Sequence, residues 1–414
     1  MANQWPAPEQ FFVKTEPTIG AAFPPNTFPQ NEVLPKLFQP LSIKGVTFKN
    51  RIWVSPMCQY SSDNGHATDW HLVHLGGFAT RGVGAICVES TAVVPEGRIS
   101  PQDAGLWSDS HVAPLERIVK FAHAHGTVIG VQLNHAGRKA STLSPFITYD
   151  TSRTRPTGKF IADQEHGGWP DNVWGPTEIP YSDTYPRPKA MTEKEMLYVE
   201  EAFISAIERC KKAGFDFVEI HAAHGYLVHQ FVSPLSNNRT DQYGGSLENR
   251  IRWPLRLIKR CREAWPDKPL FVRISANDWA DGPEKGLNGE WRQWGIEQST
   301  VFVGEMVKLG IDLLDCSTGA NWSKQVVPDT PGYQVPYAEA IKKAYPKLLV
   351  GTVGLITEPK DAESYLQDGK ADVVLLARAM VANPHWAIMA ADELGIAVKP
   401  AHQYERAWVN MLLK

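Results

Sequence analysis

Eight short apolar runs recur along the chain with helical patterns between them, and this alternation constrains the fold more than any other feature. The runs are Ile52–Ser55, Ala85–Glu89, Val128–Leu133, Phe217–Ile220, Leu270–Ile274, Leu313–Cys316, Leu348–Val350 and Val373–Leu376. The approach to several of them also repeats: Ala213-Gly-Phe-Asp216, Leu309-Gly-Ile-Asp312, Asp368-Gly-Lys-Ala-Asp372 and, more loosely, Arg81-Gly-Val-Gly84. Each reads as a helix that ends at a glycine and passes directly into a buried strand, the αβ half of a βαβ unit.

The segments between the runs support this. Thr192-Glu-Lys-Glu195 is a capping box, followed by Met196, Val199, Phe203, Ile207 and Cys210 at helical spacing. His111–His125 places Leu115, Ile118, Val119 and Ala122 on one face. After Leu247 the pattern contains Pro254, which should start or kink that helix. Eight strands alternating with helices predict an α/β fold, a (β/α)8 TIM barrel. A doubly wound open sheet is the alternative, weakened by the strand count and by the lack of G-x-G-x-x-G after the first strand.

Two stretches fall outside the alternation. Residues 1–35 form an arm in which Pro6, Pro8, Pro17, Pro24, Pro25, Pro29 and Pro35 interrupt every helix. Residues 144–190, after the third strand, are again rich in proline and glycine but carry Phe146, Tyr149, Phe160, Trp169, Trp174, Tyr181 and Tyr185. Rings of that size argue for an ordered excursion rather than a free linker. The barrel is expected to span 36–395, with 396–414 as a tail that contributes to a subunit interface.

Composition narrows the function classes. At 43% hydrophobic and 21% charged the chain has the balance of a globular protein. A net charge of −3 leaves no footprint for nucleic acid or an anionic membrane. Cys58, Cys87, Cys210, Cys261 and Cys316 contain no C-x-x-C pair, which argues against a disulfide framework, structural zinc and a cysteine-held cluster. With no visible secretory signal and no apolar run long enough to span a bilayer, the sequence predicts a cytoplasmic protein.

In such barrels the chemistry sits where strands end. The first strand is followed by Ser55-Pro-Met-Cys-Gln-Tyr60, the third by Gln132-Leu-Asn-His-Ala-Gly-Arg-Lys139 and the fourth by His221-Ala-Ala-His-Gly-Tyr226. The fifth carries Arg273-Ile-Ser-Ala-Asn277, the seventh ends in Gly351-Thr-Val-Gly354 and the eighth in Ala377-Arg378. The pair His221 and His224 admits three readings: metal ligands, hydrogen-bonded structural residues, or donors to an anionic or carbonyl oxygen. The metal reading lacks a carboxylate or third imidazole, and no metal is expected. Tyr226 suits a proton donor, since a phenol keeps its proton at neutral pH. The glycines ending the seventh strand read either as turn residues or, with Arg378 adding a fork of donors, as a phosphate site for a phosphorylated cofactor at Gly354 and Arg378.

The thirty residues from His221 to Arg250 (HAAHGYLVHQFVSPLSNNRTDQYGGSLENR) closely resemble the signature of the old yellow enzymes, FMN-dependent ene-reductases. So do Leu37-Phe38 with Lys49-Asn-Arg51, Ser55-Pro-Met-Cys58, Gln132-Leu-x-His-Ala-Gly-Arg-Lys139 and Phe271-Val-Arg-Ile-Ser275. The resemblance runs from about Leu37 to Trp408. Cys58, Tyr60 and Tyr404-Glu-Arg-Ala-Trp408 are closer to the thermophilic-like, bacterial-type branch than to the yeast type.

The resemblance implies FMN across the barrel mouth, its phosphate at Gly354, Ala377 and Arg378 and its pyrimidine edge at Gln132. Arg273 would lie near N1 and the C2 carbonyl. Ser55, Pro56, Met57, Cys58, Ser90 and His221 would border the ring, with Cys58 tuning redox behaviour. The other four cysteines read as small buried filler. His221 and His224 would hold the carbonyl or nitro oxygen of an activated alkene, and Tyr60 would line the substrate side. Hydride would pass from reduced flavin to the β-carbon, and Tyr226 would protonate the α-carbon. NADPH or NADH would reduce the flavin and leave before the alkene enters, which implies ping-pong kinetics. Arg406 resembles an arginine that reaches a neighbouring subunit's site, implying a homodimer or homotetramer. Ala377 stands where the family usually has glycine, a methyl tolerated only if φ there is negative. Trp70 and Trp279 lie in stretches that shape the substrate pocket.

Close rivals share this scaffold. The larger flavin and iron–sulfur dehydrogenases need a cysteine cluster and an added dinucleotide domain, which this sequence lacks. A redox-neutral flavin isomerase, favoured by loss of the tyrosine, and a non-catalytic flavin-binding protein are the other two.

Overall fold

The computed structural model describes residues 16–148 and 160–413. Residues 1–15 of the arm, and 149–159 of the excursion with Tyr149, lie outside the described residues. Eight parallel strands close into a barrel: β1 (Ile52–Val54), β2 (Ala85–Ala92), β3 (Val128–Asn134), β4 (Phe217–Ala222), β5 (Leu270–Ser275), β6 (Leu313–Ser317), β7 (Leu349–Thr352) and β8 (Val373–Leu376). Each pairs with the next, and β8 closes on β1 through Val374–Ile52 and Leu376–Val54. All eight apolar runs are therefore strands of one (β/α)8 barrel, buried on both faces as parallel strands covered by helices must be.

The helices that matter for the site are α1 (Asp69–Ala79), α2 (Val112–Ala124), α3 (Glu193–Ala213) and α4 (Leu247–Ala264). The Thr192 box forms: Thr192 Oγ1 accepts from Lys194 N–H at 3.2 Å, and Glu195 accepts from Thr192 N–H at 2.9 Å. Gly214 ends α3 in the left-handed conformation (φ 85°), which costs a glycine little. One expectation needs correcting. Pro254 does not start α4, which begins at the Ser246 cap and runs through the proline. The buried stripe of Ile251, Trp253, Leu257 and Ile258 outweighs the roughly 3 kcal/mol that an interior proline costs.

Strand alternation sorts the barrel interior into layers. Phe217, Phe271 and Leu313 face inward and pack with Trp53, while Val218, Val272 and Leu314 face the helices. Two residues further along, the inward positions become Glu219, Arg273 and Asp315, and two further again His221, Ser275 and Ser317. The apolar floor is plugged from the N-terminal end by a hairpin, Leu41–Ile43 with Val46–Phe48, whose Phe48 stacks on Trp53 at 4.4 Å. The site thus rests on a dry, close-packed base.

The described part of the arm is a strap. Gly20 N–H donates to Lys399 C=O at 2.7 Å, and Lys399 N–H returns to Ala21 C=O at 2.9 Å. Buried Asn31 exchanges two hydrogen bonds with the Ala397 backbone, at 2.7 and 2.9 Å. Among the described residues no helix is long and apolar enough to cross a membrane.

Candidate active site

The chemistry gathers at the C-terminal ends of β3–β6. Register sets Gln132 beside Glu219, and Arg273 between His221 and Asp315. Gln132 Nε2 donates to Glu219 Oε1 at 2.7 Å, and Arg273 Nε lies 3.2 Å from Asp315 Oδ2. Burial pushes both carboxyls up and Arg273 pulls them down. One shared negative charge opposite one guanidinium is the arrangement a dry layer tolerates, so Glu219 retains the proton.

His221, His224 and Tyr226 converge above that layer. The His221 ring centre is 5.2 Å from that of His224 and 5.0 Å from that of Tyr226, in edge-to-face contacts. His224 is held in the left-handed region (φ 57°) at a cost of roughly 1–2 kcal/mol. Ser275 Oγ accepts its N–H at 2.9 Å, Lys139 Nζ donates to its C=O at 2.9 Å, and its Nε2 lies 2.7 Å from Ser317 Oγ. Gly225 follows (φ 69°), where a Cβ would meet Ala320 O at 2.3 Å. The turn is pinned on every side. Burial, then the positive charge of Arg273, lowers both imidazoles well below their ordinary range, so both are neutral.

Tyr226 borders a cavity of about 150 Å³ with Tyr60, Ile99, Lys139, Thr142 and Tyr185 among its walls. Its hydroxyl makes no hydrogen bond to another described residue. Burial, then the neighbouring Cys58 and Asp103, raises it well above the usual phenol range. The phenol stays protonated and its O–H is free to be given away. Cys58 packs beside Ile99, Ala136 and Tyr226, and burial with the Asp103 and Glu89 carboxyls keeps it a thiol. The other four cysteines are buried and unpaired.

The excursion reaches this cavity: Pro145, Phe160 and Tyr185 form part of its wall, next to Leu143. Phe160 stacks on Tyr185 at 5.4 Å, and Arg98 lies over Trp169 at 4.5 Å. Phe146 departs from the burial expected of such rings, being 63% exposed.

Two buried polar atoms around the mouth have no hydrogen-bond partner among the described residues: Ser55 Oγ and Asn134 Oδ1. Orphans of this kind require a ligand or water, and a planar heteroaromatic ring with donors and acceptors along its edge fits them. Ser90 is already engaged, accepting from Asn134 Nδ2 at 2.7 Å. Pro56 and Met57 are half-buried in the loop after β1. At the far side a Cβ on Gly354 would approach Gln334 Nε2 to 2.8 Å, and with φ at 123° the position requires glycine. Ala377 has φ −110°, outside the region where its methyl would be strained. Arg378 is exposed at the start of the short helix Arg378–Ala382, and Arg406 is exposed in the turn His402–Trp408, remote in sequence from the rim. Trp70 is 57% exposed and donates to Gln59 Oε1 at 3.1 Å; Trp279 packs edge-on to Tyr337 at 5.6 Å.

Sequence reasoning passed over Glu219, Asp315, Ser317, Lys139 and Gln334. The first two had a signal: an acid inside an apolar run, at the inward parity of the strand. Lys139 lies in the motif that follows β3, yet nothing local places its Nζ on the His224 turn. Gln334 had no signal, because it arrives from the helix that follows the β6 loop.

The fold is a (β/α)8 barrel with its ionisable groups at the C-terminal rim, and the family match makes it an oxidoreductase. More particularly, the chain belongs to the NADH:flavin oxidoreductase / NADH oxidase family, whose model matches residues 36–395, and so to the enzymes that use a flavin with a nicotinamide. It is 45% identical over 375 residues to an NADH:flavin oxidoreductase of Gibberella zeae, covering 89% of this chain and 88% of that one. It is 44% identical over 376 residues to an NADPH dehydrogenase of Halalkalibacterium halodurans, covering 90% and 99%. Among solved structures, morphinone reductase superposes with a TM-score of 0.67 at 25% identity, over 88% of this chain and 91% of that one. A 2-naphthoyl-CoA reductase shares the fold (TM-score 0.74, 23% identity, 86% of this chain), but this chain spans only 52% of its length.

Proposed function

We propose that the protein is an FMN-dependent NAD(P)H ene-reductase that reduces activated C=C bonds in unsaturated carbonyls, maleimides or nitroalkenes. The observation that carries this reading is the Tyr226 phenol: protonated, free of hydrogen bonds to the described residues, and facing a cavity beside an imidazole pair. FMN, when bound, supplies the hydride taken up from NADPH or NADH and delivered to the β-carbon. Gln132, Arg273 and Ser55 are the groups to hold its ring, with Pro56, Met57, Cys58 and Ser90 beside it and Gly354, Ala377 and Arg378 at its phosphate. His221 and His224 orient the substrate oxygen, Tyr60 and the excursion wall exclude water, and Tyr226 gives its proton to the α-carbon. The nicotinamide and the alkene use the mouth in turn. Arg406 completes the site of a second copy in a homodimer or homotetramer, and the free cysteines suit a reducing cytoplasm.

The test is the visible spectrum of the purified protein under anaerobic conditions. A yellow protein bleached by NADPH and restored by cyclohexenone or a maleimide is expected. A colourless protein that FMN does not reconstitute would refute the reading.

A further inference from the structure

Two carboxyls and one guanidinium share the closed interior of the barrel, and their surroundings limit how much charge they can carry. Arg273 on β5 is level with Asp315 on β6, while Glu219 on β4 lies two residues lower, beside Phe271. Asp315 is fully buried, and neither of its oxygens has a hydrogen bond to a described residue. Its partner is the charge of Arg273, whose Nε lies 3.2 Å from Oδ2. Glu219 accepts from Gln132 Nε2 instead, at 2.7 Å. The other five strands face the interior here with Trp53, Cys87, Gln132, Gly351 and Leu375. None of these is a charge, since burial, then Glu219 and Asp315, keeps the Cys87 thiol protonated. His221 and His224 above are neutral. Below, Phe217, Phe271 and Leu313 offer a second negative charge nothing to solvate it.

We propose that Glu219 is the reserve counter-ion of Arg273: it and Asp315 together keep one negative charge against the guanidinium, and either carboxyl can carry it alone. Both are positioning residues, acting on the flavin through Arg273. Removing one carboxyl leaves the charge on the other. Removing both leaves Arg273 unopposed in a dry layer, which favours FMN in its reduced, more electron-rich form. The redox consequence rests on the placement of FMN against Arg273; the shared charge does not.

Glu219→Gln and Asp315→Asn preserve volume, and the first keeps an oxygen for Gln132. Infrared difference spectra of the full chain at neutral pH, variant minus wild type, count protonated carboxyls by their C=O stretch. Each single variant should lose one protonated carboxyl, and the double variant should lose that same one and no more. No loss in either single variant means that both groups are ionised in wild type. Loss of two in the double variant means that both are protonated, and either result overturns the proposal. In the FMN-loaded protein, spectroelectrochemical titration gives the preference for reduced over oxidised FMN. Each single variant should stay within about threefold of wild type, while the double variant should gain at least about tenfold, a rise of about 30 mV for two electrons. A single variant that shifts as far as the double one, or a double variant that does not shift, overturns the redox role. If wild type binds no flavin, the functional reading fails, and the infrared count still decides whether the pair shares its charge.

Discussion

Tyr226→Phe removes one oxygen from the middle of the site, and the structure sets what that should cost. The hydroxyl is bonded to no described residue, so folding should lose less than about 1 kcal/mol. Its neighbours are poorly placed to replace its proton. Burial holds Tyr60 and Cys58 even more tightly protonated than usual, and Lys139 Nζ is committed to the His224 and Ala320 carbonyls. The full contribution of a positioned acid should therefore vanish, about 10²–10⁴-fold or roughly 3–5 kcal/mol of barrier. Stopped-flow absorbance separates the half-reactions. Flavin reduction by NADPH should be nearly unchanged, while reoxidation by cyclohexenone should slow by that factor. Equal slowing of both, or less than about tenfold slowing of the second, would refute the assignment of Tyr226 as proton donor.

Replacing His221 and His224 together by alanine should weaken phenol binding at least tenfold, as about 1–3 kcal/mol per lost buried hydrogen bond requires; an unaltered phenol titration removes them from the oxygen site. Arg406→Ala should raise KM with little change in kcat if a second copy places the arginine over the substrate, and light scattering that finds only monomer would void the idea. Glu89 gives a stability test. Burial pushes its carboxyl up to about 8 against the pull of the Gln59 N–H, and burial lowers the adjacent His71, so their 3.5 Å contact is between neutral groups. The folded chain keeps a proton that the unfolded chain releases above about 4.5, so stability should fall as pH rises from 4.5 to 8. Glu89→Gln keeps an oxygen for Gln59 and should flatten the fall by up to about 1.4 kcal/mol per pH unit; urea melts with an unchanged slope would contradict this.

What was legible in the sequence was local. The eight strands could be read because a parallel strand covered on both faces must be apolar, and because Gly214, Gly310 and Gly369 mark helix ends by their left-handed backbone. The rim could be read because the ends of those strands collect polar residues. What was hidden depends on partners far apart in sequence. The Leu41–Phe48 hairpin looks like any polar-flanked pair of short strands, and only closure of the barrel makes it a plug. Proline spacing in the arm marks an absence of helix and says nothing of Asn31, whose amide waits for Ala397. Pro254 misled because a propensity argument omits the packing of the other helix face.

The strap has a consequence for how the protein is made. Asn31 leaves the ribosome long before Ala397, 366 residues later, so the hydrogen bonds it exchanges with the Ala397 backbone form only once that residue has been made. The strap therefore closes late, after the last barrel strand, Val373–Leu376, has been made. The segment leading into the Arg406 turn becomes fixed at that same late moment. A chain whose eight strands are complete still lacks this tie between residues 20–31 and 397–399.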